Sequence, residues 1–540
     1  MNNSLVLNIF KSSMLLLLVL LLVNFSEAQN SRQDPNGGIK KYDALMQMIN
    51  FAYVDTINEG KLVEKAIVET LKELDPHSVY ISKKDVQKAN EPLEGNFDGI
   101  GVQFEILKDT ISVVHSIPGG PSERLGIVSG DKIVKIDGEP VTGKKITNQF
   151  VLDHLRGKRG TKVNVSIFRK GKKDLVEFTI TRDKIPINSI DAAYMIKPGI
   201  GYINLNKFAQ TSMQEFTESV NLLNSQGMTS LILDLRNNSG GYMGTAIELS
   251  DEFLKSGKLI VYTQGRHAPR EDFYATARGL FETGKLVIMI NENSASASEI
   301  VSGAIQDWDR GVIVGRRSFG KGLVQRPFQL PDSSQVRLTT ARYYNPSGKC
   351  IQKSYAEGVD KYYEDFSNRV KNGELIHPDS IKFPDSLKFY TSKKRVVYGG
   401  GGIMPDVFIP WDSTPISDYY LDLRRKNVIN SYVGDYVDKT RRTLKSDYPV
   451  FTDYDKNFRI DDAFMVDFFA YAEKEGVKKD EKGYAASEKL IKSQLKGLIA
   501  QKLWDMTELY TIINQYDEEV LKAIEVLEDD ALYKKLNIDR

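Results

Sequence analysis

The stretch from Lys285 to Asp307, KLVIMINENSASASEIVSGAIQD, changes character twice. Lys285 to Ile290 is a short continuous apolar run, which reads as a buried strand. NENS is a polar loop. From Ala297 the apolar residues recur at i, i+3, i+4, i+7 and i+8, as Ala297, Ile300, Val301, Ala304 and Ile305, the spacing of an amphipathic helix. The same alternation lies on both sides. SLILDL (230–235) reads as a strand, RNNSGG as its loop, and Met243, Ala246, Ile247, Phe253 and Leu254 keep a helical period. GVIVG (311–315) is a third strand, leading into RRSFGKG. Strands alternating with helices predict an α/β core with a largely parallel sheet. In such sheets sites are built on the loops leaving the C-terminal strand ends. Three loops qualify: RNNSGG, NENSAS and RRSFGKG.

Around this core the texture differs. Residues 39–90 have helical spacing, with Leu62, Ala66 and Leu71 on one side, until Pro76 breaks it in LDPHSVYIS. Residues 95–183 read as short strands and turns, with a hairpin turning at Lys170-Gly171 and a short helix carrying Val151, Leu152 and Leu155. Residues 354–398 are polar, tyrosine-bearing and without clean periodicity, and read as an insertion. From about 412 the chain is charged and helical. Ile491, Leu495, Leu498 and Leu503 mark an amphipathic helix suited to packing on the core or on a partner, including a second copy of the chain. No residue of this tail suggests chemistry.

The 73 basic and 72 acidic residues leave a net charge of +1, which gives no electrostatic reason to expect nucleic acid as a partner. The single cysteine, Cys350, excludes an intramolecular disulfide and a cysteine-based metal cluster. Lys11, the uncharged run Met14–Val23 and the small residues Ser26 and Ala28 have the layout of a cleavable secretory signal. The run is shorter than the roughly 18 residues a membrane span needs. The mature chain is then expected to begin near Gln29 and to work in the periplasm or cell envelope.

Gly315 to Lys321 spells G-x-x-x-x-G-K, the opening of a phosphate-binding loop. That reading fails twice. Gly322 stands where Ser or Thr should hold magnesium, and the β-rich, proline-bearing text after it cannot form the helix whose N-terminus faces the phosphates. The lysine needs another use. In NSASASEI a serine sits where a strand gives way to a helix, near free N–H groups. That suits a nucleophile with its own oxyanion hole, although Ser is also an ordinary N-cap residue. A nucleophile needs a base. None of the five histidines (His77, His115, His154, His267, His377) falls in the three loops. Lys321 does, between two glycines.

Two resemblances organise these observations. GIGVQF (99–104) and GPSERLGIVSGDKIVKIDGEPV (120–141) resemble a PDZ domain of the bacterial protease type. There Gly99, Ile100, Gly101 and Val102 would form the turn and strand edge that hold a peptide's C-terminal carboxylate. NENSASASEIVSGAIQD, SFGKGLVQ, LILDLRNNSGG, ARYYNPSGKCIQ and LDPHS are similar, in family order, to the carboxy-terminal processing peptidases, the tail-specific Ser/Lys family. The resemblance implies an α/β core of the crotonase/ClpP-like fold with an inserted PDZ domain and helical N- and C-terminal regions. It implies Ser296 as nucleophile, Lys321 as base, and Gln325 as the residue that orients the lysine. Ala297 and Gly241 would supply the oxyanion N–H groups, with Gly240 the weaker alternative. It also implies substrates with free C-terminal tails, such as envelope proteins or cell-wall hydrolases, and adaptor proteins as partners, with no cofactor and no metal.

The expected layout is a signal peptide at 1–28, a helical region at 29–94, the PDZ domain at 95–183, the peptidase core at 184–411 with its insertion at 354–398, and a helical region at 412–540. Two rival readings remain beside the peptidase: a catalytically silent tail-binding scaffold, and a crotonase-fold enzyme acting on a small acyl compound. A lysine base makes one quantitative demand. To be half neutral at pH 7 its ammonium must be destabilised by about 4 kcal/mol, which burial must supply. Lys321 is therefore expected to be largely shielded from solvent.

Overall fold

The computed structural model describes residues 37–143, 145–277, 279–411 and 417–539. The signal-peptide reading lies outside these residues, as does the start of the region expected to be helical from residue 29. The chain divides into two compact units, 1–71 and 72–540. The first contains the helix Gly37–Ala52 and most of Glu59–Lys72. The remaining elements belong to the second.

The α/β core is built on a six-stranded sheet in the order 190–197, 200–205, 230–234, 285–290, 312–315 and 407–408. The first pair is antiparallel and every later pair parallel. The sheet is buried on both faces, which is why its strands read as continuous apolar runs. Successive side chains alternate between two cores. Leu231, Leu233, Leu286, Ile288 and Ile313 face one, and Ile232, Val287, Met289, Val312 and Val314 the other. Over the first face lie the helices Ser212–Ser225, Met243–Asp251 and Ala297–Asp307, through residues such as Phe216, Leu249 and Ile300. The second face is covered from far along the chain. Val520, Ala523, Val526 and Leu527 of the helix Glu518–Glu528, then Tyr533 and Ile538, close it. The Tyr533 hydroxyl donates to the Leu286 carbonyl at 3.0 Å. The end of the tail is thus a structural layer of the core.

A second, antiparallel sheet flanks the first. Its strand Gln335–Tyr344 pairs with Leu323–Gln329, with Val79–Ile81 and with Leu259–Gln264. The residues after Gly-Lys at 320–321 are therefore a strand, as the rejection of a phosphate-binding loop requires.

Residues 102–181 form a separate sheet, in the order 102–107, 110–116, 132–136, 162–168 and 176–181, with the helix Asn148–Leu155 against it. Ile111, Ile133, Val151, Val163 and Ile180 fill its own core. The helices Asp418–Arg425 through Met506–Ile513 pack around another core, of Leu423, Val433, Tyr454, Phe468 and Leu495. Two ion pairs join these last two bodies, Lys502 with Glu105 at 2.7 Å and Lys108 with Asp435 at 3.0 Å. The stretch 354–398, which has no clean periodicity, holds the short helices Val359–Tyr363 and Asp365–Lys371 and a small hairpin of Lys388–Tyr390 with Val396–Tyr398. Short elements leave too little sequence to show a period.

Candidate active site

Ser296 stands at the turn from the strand Lys285–Ile290 into the helix Ala297–Asp307. Its φ of 56° and ψ of −110° are unusual for a residue with a side chain, a conformation that costs about 1–3 kcal/mol and survives only where its surroundings fix it. They do so from both sides of the peptide. Its N–H donates to Glu299 Oε2 at 2.9 Å. Its carbonyl accepts from the Glu299 and Ile300 N–H groups at 2.9 and 3.0 Å and from the Tyr343 hydroxyl at 3.1 Å.

Glu299 is the hub of the site. It is fully buried, and four donors converge on its carboxylate. Oε2 accepts from the Ser296 N–H and also from the Lys321 N–H, each at 2.9 Å. Oε1 accepts from the Gly320 N–H at 2.7 Å and the Ser318 hydroxyl at 2.5 Å. A single oxygen thus holds the backbones of Ser296 and Lys321 within two hydrogen-bond lengths of each other. Burial pushes the Glu299 carboxyl up, and the four donors oppose that. With both oxygens occupied by donors, the ionised form fits the site.

The Lys321 side chain is partly buried by surface area, with most of it shielded from solvent. Its ammonium is nevertheless held below the ordinary lysine value, chiefly by burial. The nearby charges of Glu299 and Asp75 pull the other way, and Arg337 adds to the lowering. Asp75 and His77 come from LDPHS, whose neighbour Val79–Ile81 pairs with the strand Gln335–Tyr344. His77 is pushed down to about 3, first by burial and then by the Lys321 charge. Its Nε2 lies 2.8 Å from the Tyr362 hydroxyl. The fold thus brings to Lys321 a histidine that no loop assignment could place there. Gln325 donates through Nε2 to the Thr339 hydroxyl at 3.2 Å, and Thr339 donates to Asp75 at 3.0 Å. Its amide is therefore engaged with the Thr339–Asp75 pair.

The RNNSGG loop closes on Ser296 from the other side. A Cβ on Gly240 would stand 2.9 Å from Ser296 Cβ and 3.0 Å from the Ala297 nitrogen, and φ there is +97°, so glycine is required. The Gly240 N–H is already committed to Asn238 Oδ1 at 2.8 Å. Gly241 forms a parallel bridge with Phe208, in which Phe208 N–H donates to the Gly240 carbonyl and Tyr242 N–H to the Phe208 carbonyl. That pattern turns the Gly241 N–H to the other side of the strand. Of the two glycines, Gly241 has the donor to spare.

The polar stretch 354–398 also reaches the site. Arg369, 2% exposed, donates to the carbonyls of Arg317, Ser318 and Phe319 in the lysine loop. Just before this stretch, Lys353 Nζ sits 4.0 Å from the centre of the Phe319 ring. The tail does the same from behind the sheet, through Asp517 and Glu519 on Arg236 and Arg316. Beside the separate sheet of residues 102–181, Ile100, Gly101, Val102, Phe104, Val151 and Leu155 line a groove of about 200 Å³ between a strand edge and the helix Asn148–Leu155. Gly101 has φ of +74°, and a Cβ there would meet Ile185 Cδ1 at 3.0 Å. Among the described residues no group of His, Cys, Asp and Glu could hold a metal ion, and no helix is long and apolar enough to cross a membrane.

Residues 199–364 match the model of peptidase family S41, and residues 99–180 that of the PDZ domain. A carboxy-terminal-processing protease of Bartonella bacilliformis is 34% identical over 340 residues, covering 62% of this chain and 77% of that one. The chain belongs to the carboxy-terminal-processing proteases. A second such protease, CtpA of Bacillus subtilis, is 33% identical over 58% of this chain and 68% of its own. The chain is thus a serine peptidase that joins an S41 core to a PDZ domain and adds a helical C-terminal region. Residues 419–505 of that region match a family of unknown function, DUF8443. Among solved structures, a photosystem II D1 C-terminal processing protease aligns over 74% of this chain and 94% of its own at 24% identity, with a TM-score of only 0.36.

Four contributors to this processing-protease site escape sequence reading. Glu299 leaves a signal, because Ser296-x-x-Glu299 is the capping-box pattern. His77 lies in the family-like motif LDPHS, but nothing local ties it to Lys321, and Arg369 and Glu519 leave no signal, since each arrives through long-range packing.

Proposed function

We propose that Ser296 and Lys321 act as a nucleophile–base dyad that cleaves proteins near their C-termini. The observation that carries this reading is the Glu299 carboxylate, which binds the N–H groups of both residues through one oxygen. Neutral Lys321 takes the Ser296 hydroxyl proton as Oγ bonds to the scissile carbonyl carbon. The Ala297 and Gly241 N–H groups hold the oxyanion. The C–N bond breaks as Lys321 returns the proton to the leaving amine, and water then hydrolyses the ester with Lys321 again as base. Gln325 is the orienting residue, acting through Thr339 and Asp75 on the charge around the lysine. The lysine's partial burial and lowered basicity support its role as the base.

The groove beside Gly99, Ile100, Gly101 and Val102 receives the substrate's tail as an added strand, with its carboxylate in the turn. The apolar lining at Val102, Phe104 and Leu155 favours tails that end in apolar residues. On this reading the core has the crotonase/ClpP-like architecture. The protein is exported behind its N-terminal signal to the periplasm or cell envelope, where an adaptor protein or a second copy of the chain can join it.

A folded carrier protein ending in an apolar tail tests the assignment. Wild type should shorten it, whereas Ser296→Ala and Lys321→Ala should bind it and leave it intact. Tail binding without cleavage by wild type would instead mean a silent scaffold. Indifference to the tail, with turnover of a small acyl ester, would mean the other rival.

A further inference from the structure

The three loops around Ser296 are tied together from outside the S41 match. Arg236 lies five residues before Gly241, Arg316 five residues before Lys321, and Glu292 four residues before Ser296. Arg236 Nη1 donates to Glu519 Oε2 at 3.0 Å and to Asp517 at 3.0 and 3.2 Å. Arg316 Nη1 donates to the other oxygen of Glu519, and its Nε to Glu292 at 2.8 Å. The two oxygens of one tail carboxylate are therefore divided between the loop of Gly241 and the loop of Lys321. The network is enclosed, with Arg316 4%, Arg236 13% and Glu519 16% exposed.

Neutralisation does not explain the arrangement. Each arginine already has a carboxylate of its own within the core, Asp234 for Arg236 and Glu292 for Arg316. Adding Asp517 and Glu519 leaves four acids around two bases, an excess that burial penalises. Nor does cohesion of the tail require it, because Val520, Ala523, Val526 and Leu527 already seat the helix on the sheet. What Glu519 adds is a rigid link between two loops whose relative position sets the distance from oxyanion donor to base.

We infer that Glu519, supported by Asp517, is a positioning residue for the reaction, holding the Gly241 loop and the Lys321 loop in register across Ser296. The inference rests on the peptidase reading above. A displacement of about 1 Å at a reacting group can cost about a hundredfold in rate, so loss of the link should appear in kcat more than in KM.

The test compares full-length Glu519→Gln, Asp517→Asn and Val520→Ala with wild type on the tailed carrier protein. Asn at 517 keeps a good N-cap for the helix, and Val520→Ala weakens packing of the same helix without touching a charge. Expected for Glu519→Gln are a kcat about tenfold lower or less still, KM within about twofold of wild type, and faster amide exchange at 236–241 and 317–322 but not at 110–116. Asp517→Asn should do the same more weakly. Val520→Ala should lower Tm and keep kcat within about twofold of wild type. Unchanged kcat and unchanged loop exchange in Glu519→Gln would overturn the inference. So would a kcat loss in Val520→Ala equal to that in Glu519→Gln at equal loss of Tm. Should Glu519→Gln not fold, Arg316→Lys serves with the same readouts, since an ammonium cannot reproduce the guanidinium's planar fork to two carboxylates. If wild type cleaves nothing, the peptidase reading falls, and the exchange comparison still decides whether Glu519 couples the two loops.

Discussion

Replacing Glu299 by Gln keeps the shape of the hub and inverts half of its hydrogen bonding. The carboxylate now accepts from Ser296 N–H, Lys321 N–H, Gly320 N–H and the Ser318 hydroxyl. An amide offers one oxygen and one NH₂, so with its NH₂ toward Ser296 and Lys321 two backbone donors face another donor, whereas toward Gly320 and Ser318 only the Gly320 N–H does, because the hydroxyl can turn and accept. Each lost bond to a charged acceptor is worth roughly 1.5–3 kcal/mol, hence roughly 1.5–6 kcal/mol for one or two. If about 3 kcal/mol of that falls on the placement of Ser296 against Lys321, kcat drops about a hundredfold. The charge has a separate and signed effect. The Glu299 anion raises the basicity of Lys321. Without it the lysine loses its proton at lower pH, and the alkaline rise in kcat/KM, which reports the neutral base, moves to lower pH. A pH series of kcat/KM on the tailed carrier protein reads both effects at once. A lower plateau with its rise shifted down in pH is expected. A rise that stays in place or moves up would refute the assignment of Lys321 as the titrating base.

Further outcomes follow from the same geometry. Lys321→Met should abolish cleavage yet raise Tm near neutral pH, because burial penalises the ammonium. The gain should fade as pH climbs from the lowered folded value toward the ordinary lysine value near 10.5, where the unfolded chain also loses its proton. His77 is held near 3 in the fold and titrates near 6.5 when unfolded, so it costs stability as pH falls below 6.5. His77→Gln should narrow the difference between Tm at pH 8 and at pH 5, measured by calorimetry. Gly240→Ala forces a Cβ to within 3.0 Å of Ser296 and Ala297 at φ +97°. It should stop cleavage and cost about 1–3 kcal/mol in a urea titration.

What could be read before folding was what depends on local pattern. The strands Ser230–Asp234, Lys285–Ile290 and Val312–Gly315 announce themselves because both faces of the sheet are covered, so no polar residue interrupts them. The start of the helix at Ala297 is legible from Ser296 and Glu299, a cap and its reciprocal carboxylate. The order of loops along the chain also gives the place of Ser296 and Lys321. The contribution of LDPHS to the surroundings of Lys321 is different, because it depends on a three-residue strand pairing with residues more than 250 positions away. Arg369 lies in text with no period at all. Its importance comes from three backbone carbonyls that need a buried donor, and carbonyls have no sequence. The tail's apolar face is visible as helical spacing, but nothing local says that the face fits the underside of a parallel sheet.

That underside has a consequence for how the enzyme comes into being. The strands of the core are complete by residue 408, yet one whole face of their sheet waits for Val520 to Ile538. During synthesis the chain carries an uncovered greasy surface for more than a hundred further residues, the kind of exposure that chaperones recognise and that aggregates. Over the same interval Arg236 and Arg316 have no link between them. If Glu519 couples the two loops as inferred above, a protease assembled in this order becomes competent only as its last helix docks.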